Sequence, residues 1–236
     1  MNSSTKRGFL LITRIRTVYP FSQLHYISSH CKLSPGVTPL FAACAQGYSE
    51  CVSILLKKAP GLDINEQDVD GRTALMAACA NGKLDCINLL FKWGGTSEDE
   101  ELDVFSKDEN GRNALHYAAM FGHAPVIEAL VTKERKLLLK SDSDGRSALH
   151  WAAIRGKEDS VEALLSLGID ENPQDKLGRT PLSYAAEHGH VAVAEWLFSC
   201  LDEEQEDEDQ EVHFLFLILS LSLSLSLSLC LSLSLS

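Results

Sequence analysis

The sequence predicts an all-α repeat solenoid, in which helix-turn-helix units are linked by β-hairpin fingers and flanked by low-complexity ends. Three observations carry this. A twelve-residue phrase recurs five times in register, as GVTPLFAACAQG from Gly36, GRTALMAACANG from Gly71, GRNALHYAAMFG from Gly111, GRSALHWAAIRG from Gly145 and GRTPLSYAAEHG from Gly178. Successive copies are 35, 40, 34 and 33 residues apart, a period at which sequence self-similarity signals stacked supersecondary units. Each copy is followed by an aliphatic stretch that one helix pair could not bury alone but a stack can.

Each unit opens on a residue whose side-chain oxygen can accept from an orphaned backbone N–H: Thr38, Thr73, Asn113, Ser147 and Thr180. Pro39 and Pro181 then take the first helical position, where a fixed φ helps and the missing N–H costs nothing. The first helix is short and stops at Gly47, Gly82, Gly122, Gly156 and Gly189, which supply the left-handed conformation of a C-terminal cap. Within it, the pairs Ala43/Cys44, Ala78/Cys79, Ala118/Ala119, Ala152/Ala153 and Ala185/Ala186 are small, so that helices of adjacent units can approach closely.

The second helix is expected to bury faces such as Val52-x-x-Leu55-Leu56, Ile87-x-Leu89-Leu90, Val126-Ile127-x-x-Leu130, Val161-x-x-Leu164-Leu165 and Val193-x-x-Trp196-Leu197. A D-x-x-G turn then leads to the next unit, from Asp68, Asp108, Asp142 and Asp175. These turns are the predicted fingers.

The phrase closely resembles the ankyrin repeat, with its T-P-L-H-x-A signature and period near 33. His116 and His150 fill the signature histidine place, whereas Phe41, Met76 and Ser183 replace it. The resemblance therefore implies that the histidine's hydrogen bond to the turn is missing in three repeats. It also implies a non-enzymatic scaffold that holds a protein partner on its fingers and first helices, along the concave side.

In the family, the two residues between the small pair and the glycine vary at the surface. Here they are Ala45/Gln46, Ala80/Asn81, Met120/Phe121, Ile154/Arg155 and Glu187/His188. Met120, Phe121 and Ile154 are apolar where solvent favours polar side chains, and with Arg155 they have the composition of an interface hot spot. Arg72, Arg112, Arg146 and Arg179 share one place in four consecutive repeats, a guanidinium ladder that could clamp an acidic peptide.

Outside the repeats the chain changes character. The repeat domain is expected over 36–200, as repeats 36–70, 71–110, 111–144, 145–177 and 178–200, preceded by a basic segment 1–35. That segment has the acid-free composition of a transit peptide. Its stretch SQLHYISSHCK also mimics a first helix and reads as a degenerate cap or truncated repeat. Residues 201–211 form an acidic run with the composition of a disordered segment.

Residues 212–236 are a Leu-Ser segment with three competing readings. It is long enough for a membrane anchor that would tether an adaptor, it has the alternation of a translated CT-dinucleotide tract, and it has the pattern of an aggregation-prone strand. The repeats could equally belong to a larger ankyrin-containing protein.

With a net charge of −12, the chain is poorly suited to general nucleic-acid binding, which relies on phosphate neutralisation. Seven cysteines, four of them at matching repeat positions (Cys44, Cys79; Cys51, Cys86), read as small buried hydrophobes in a reducing compartment, cytoplasmic or nuclear. His25, His30 and Cys31 lack metal-ligand spacing, and no phosphate loop or nucleophile motif is present, so neither cofactor, metal nor catalysis is expected. The 40-residue second repeat carries an acidic insertion with Glu98, Asp99, Glu100, Glu101 and Asp103, either simply solvated or facing a basic partner. Asn172 has a spacing like that of ankyrin asparagines that become hydroxylated, although Glu171 departs from the pattern. A monomer is expected.

Overall fold

The computed structural model describes residues 37–59, 62–94 and 101–202. Gly36, the N-terminal segment 1–35, Glu98, Asp99 and Glu100 of the insertion, the acidic run from 203 and the Leu-Ser segment lie outside the described residues. Those residues fall into two compact units, one ending at Ala118 and one beginning at Ala119.

In the first unit, α1 (Pro39–Gln46) and α2 (Ser49–Lys58) form one antiparallel pair, and α3 (Ala74–Ala80) and α4 (Leu84–Gly94) the next. The first helices α1 and α3 pack on each other, as do the second helices α2 and α4. The next first helix, α5 (Ala114–Phe121), spans the division between units. The second unit continues with α6 (Ala124–Lys133), a 3-10 turn (Arg135–Leu139), α7 (Ala148–Ile154), α8 (Glu158–Ser166), α9 (Pro181–Glu187) and α10 (Val191–Asp202). Within it, α7 packs on α9, and α8 on α6 and α10.

The caps form where the sequence places them. Thr38 Oγ1 accepts from the Phe41 N–H at 3.1 Å, Thr73 Oγ1 from Met76 at 3.3 Å, and Thr180 Oγ1 from Ser183 at 3.3 Å. Asn113 Oδ1 accepts from Leu115 and His116. The small pairs are fully enclosed from Ala43/Cys44 through Ala152/Ala153, and only Ala186, in the last described repeat, is half-buried. Cys44, Cys79 and Cys86 are buried free thiols. A hydrogen bond to Cys86, together with burial, raises the Cys44 thiol pKa, and burial alone raises that of Cys79, so both are neutral packing groups.

Three expectations need correction. The fingers contain no named strand among the described residues, only an isolated antiparallel bridge between Ser141 and Ser147. They are too short for a ladder and close instead through single bonds such as Asp142 N–H to Arg146 O at 2.9 Å. Adjacent fingers are stitched by Glu109 N–H to Asp70 O at 3.1 Å in the first unit and Lys176 N–H to Asp144 O at 3.0 Å in the second.

The histidine-type bond is present in three repeats rather than two, because Ser183 Oγ accepts from the Thr180 N–H at 3.0 Å, alongside His116 Nδ1 from Asn113 and His150 Nδ1 from Ser147. A short hydroxyl reaches the same N–H as an imidazole. Finally, Trp196 does not join the buried face of α10: it is 45% exposed while Val193 and Leu197 are buried. Trp196 follows Gly189 by seven residues, one short of the eight that separate the buried Leu197 from Gly189 and Leu164 from Gly156, so the helix phase turns Leu197 inward instead.

The C-terminal cap glycines also set the repeat spacing. Gly156 has φ +61°, and a Cβ there would meet His190 Nδ1 at 2.5 Å. His190 cannot easily yield, because its Nε2–H donates to Ile154 O at 3.1 Å. Gly189 has a similar φ of +72° but open space around it. Gly156→Ala should therefore cost about 1–3 kcal/mol, more than Gly189→Ala, since the latter carries backbone strain alone. Paired thermal melts check the ordering.

Candidate functional site

The four D-x-x-G-R turns are built alike. In each, the aspartate Oδ1 accepts from the backbone N–H groups two and four residues on, as Asp142 does from Asp144 at 2.9 Å and Arg146 at 2.8 Å. This fixes the other oxygen, Oδ2, toward the guanidinium. Arg112 Nε lies 2.8 Å from Asp108 Oδ2, Arg146 Nε 3.1 Å from Asp142 Oδ2, and Arg179 Nε 3.3 Å from Asp175 Oδ2. Arg146 is also paired with Asp144.

An aromatic side chain five residues after the arginine completes each of these three sites. The Tyr117 hydroxyl donates to Asp108 at 2.8 Å, the Trp151 indole N–H to Asp142 at 3.0 Å and the Tyr184 hydroxyl to Asp175 at 2.8 Å. The guanidinium stacks on the same ring, 5.2, 4.8 and 4.3 Å from its centre respectively. In the second repeat that place is Ala77, and Arg72 lies 5.8 Å over Phe41 of the preceding repeat while pairing with both Asp68 and Asp70.

Electrostatics follow from this geometry. Burial alone would raise the Asp175 carboxyl, but the Arg179 N–H, the Tyr184 hydroxyl and the Leu177 N–H outweigh it and hold the pKa at about 2. Asp108 is lowered the same way, against burial, by Arg112 and Tyr117. Burial and the facing carboxylates raise both tyrosines. Arg72, Arg112, Arg146 and Arg179 are thus each matched by an internal aspartate. The R-x-x-x-x-[Tyr/Trp] spacing that marks these sites was available in the sequence.

The predicted helix-end positions divide. Met120 is buried, 3% exposed, so the expectation of an exposed Met120 is corrected: it follows His116 by one helical turn and shares that residue's inward face. Ile154 is half-buried. Phe121 is 46% exposed and Arg155 is exposed; the Arg155 N–H donates to Trp151 O at 3.2 Å, while its guanidinium makes no hydrogen bond or ion pair among the described residues. Lys157 lies across Gly122, its Cδ 3.1 Å from where a Cβ of that glycine would stand, which sets the turn carrying Arg155 beside the turn carrying Phe121.

On the next repeat, His188 stacks on His190 at 6.1 Å and its Nδ1 is 2.9 Å from Tyr184 O. His150 is pinned by its Nε2–H, which donates to Arg179 O at 3.0 Å, and burial lowers its pKa. This is a structural histidine, neutral and engaged at both ring nitrogens.

Elsewhere, Glu101 and Asp103 of the insertion are exposed, and the Asn65 side chain clamps them by donating to Glu101 O at 2.8 Å and accepting from the Asp103 N–H at 2.9 Å. Asn172 is exposed, in a turn where its N–H donates to Asp170. Among the described residues no group of three His, Cys, Asp or Glu side chains could hold a metal ion, and no helix is long and apolar enough to cross a membrane.

Comparison with curated proteins returns no match. The family model for ankyrin repeats matches in three overlapping copies, at residues 21–102, 97–175 and 136–209. These span all five phrases and the helix pairs built from them, and the chain belongs to the ankyrin repeat family.

Proposed function

We propose that this chain is a non-enzymatic scaffold or adaptor that binds a protein partner on its first-helix face, centred on Phe121, Ile154 and Arg155. Ankyrin repeats generally mediate protein–protein interaction, and the family is typically non-enzymatic. The observation that carries the site is Phe121, 46% exposed at the end of α5, where a single aromatic ring offers a large apolar area to a partner. Beside it stand the half-buried Ile154 and the unpaired Arg155. Aromatic and arginine side chains dominate interface energetics when a partner excludes water from them. The arginine ladder serves the scaffold in this reading, because its charges are already paired. The placing of Cys44 and Cys79, and of Cys51 and Cys86, at matching repeat positions favours a reducing compartment, cytoplasmic or nuclear.

Affinity capture from cells with the full chain tests the site, alongside a Phe121→Ser variant that melts like the parent. A partner captured by the parent and lost from Phe121→Ser is the expected result. Equal capture by both moves the binding surface to the fingers or the acidic insertion.

A further inference from the structure

The charge of the second unit is partitioned between its two helix layers. Exposed carboxylates, among them Glu128, Glu158, Glu162 and Glu195, lie on the second helices α6, α8 and α10. The first helices α7 and α9 hold one acid between them, Glu187, and it faces Arg179 at 3.8 Å. Against this background two cations on the first-helix side have no carboxylate in ion-pair range among the described residues: Arg155, exposed, and Lys157, half-buried where it crosses Gly122. Of the six arginines among the described residues, the four ladder members are paired with aspartates and Arg135 donates to Leu167 O at 3.1 Å, whereas the Arg155 guanidinium makes neither kind of contact. In a chain of net charge −12, an unmatched guanidinium beside an exposed phenylalanine is a local inversion of the surrounding field.

We infer that the face carrying Phe121 and Arg155 takes an acidic peptide segment with a bulky apolar anchor, the anchor lying on Phe121 and Ile154 and a carboxylate reaching Arg155 and Lys157. This rests on the proposed binding face and specifies its partner. A guanidinium left unpaired in the free protein meets a carboxylate without first breaking an internal ion pair, so the contact keeps its energy. A basic segment would instead bring like charges to Arg155 and Lys157. Helices of adjacent repeats are about 8–10 Å apart, and an extended strand advances about 3.3 Å per residue. Anchor and acid therefore stand about three residues apart.

The test is selection of a random twelve-residue peptide library, displayed on phage, against the full chain. Enriched peptides are then titrated by fluorescence polarisation against the parent, Arg155→Glu and Phe121→Ser, all shown to melt alike. The expected result is enrichment of Asp or Glu about three residues from Leu, Ile, Phe or Trp, with binding weakened about tenfold or more by either variant and by raising salt. Peptides that lose affinity on Phe121→Ser but not on Arg155→Glu overturn the acidic partner and leave the binding face standing. Peptides indifferent to both variants, or no enrichment at all, overturn both readings. Enrichment of Lys and Arg overturns the charge assignment.

Discussion

Leu164→Ala lowers the stability of the repeats by about 2–5 kcal/mol. Leu164 is fully buried on α8, which packs on α7 within its own repeat and on α6 and α10 of the repeats to either side. The corresponding leucines, Leu55, Leu90, Leu130 and Leu197, are buried too, so this position forms part of the core in every repeat. Removing three carbons leaves a void walled by helices that are each held by their own partners, and a void that cannot collapse costs more than the transfer of the lost atoms. Because repeat stability is a sum of unit and nearest-neighbour terms, the loss should concentrate locally. Denaturant titration of the full chain gives the total, and hydrogen exchange should show the largest loss of protection in 145–177 and its neighbours. An unchanged melting curve would mean that this helix is out of register.

The parts of this fold that were legible in the sequence are those set by local stereochemistry. Thr38, Thr73 and Thr180 cap because a hydroxyl three residues before an N–H reaches it whatever lies further off. Gly47, Gly82, Gly122, Gly156 and Gly189 adopt positive φ because the helix reversal needs a residue without a Cβ. What the sequence left hidden depends on distance in space. Met120 and Phe121 are adjacent and both apolar, and only the phase of α5 buries one and exposes the other. Trp196 and Leu197 are likewise adjacent and apolar, and the phase of α10 buries Leu197 while leaving Trp196 exposed. Ser183 makes the local half of the histidine's bonding, to the Thr180 N–H, which a residue-type template cannot register. The ladder arginines looked available as a row, yet each is matched by an aspartate four residues upstream and a ring whose identity varies from Phe to Trp.

Asp175→Ala is expected to cost about 2–4 kcal/mol, because one carboxylate there satisfies four donors. Its Oδ1 accepts from the Leu177 and Arg179 N–H groups at 2.8 and 2.9 Å, and its Oδ2 from Arg179 Nε and the Tyr184 hydroxyl. The Arg179 side chain is 40% exposed and can turn to water, so its share of the loss is small. The Tyr184 hydroxyl has no such exit, since that residue is only 4% exposed.

The same carboxylate gives the protein a defined response to acid. Its folded pKa of about 2 lies below the ordinary value of 3.8, so as pH falls the unfolded chain takes up the proton first. Stability from this group is complete above pH 3.8 and is lost on descent toward pH 2, and Asp108 acts in the same direction. His150 is lowered from 6.5 by burial, so its contribution begins to fall earlier, below pH 6.5, because protonating Nδ1 removes the acceptor for the Ser147 N–H. Melting temperature recorded from pH 7.5 to 2 should therefore decline in two stages. In Asp175→Ala the later stage should be shallower while the earlier one is retained, and in His150→Gln the reverse. A single parallel decline in all three proteins would mean that general charge repulsion, rather than these two buried contacts, governs acid unfolding.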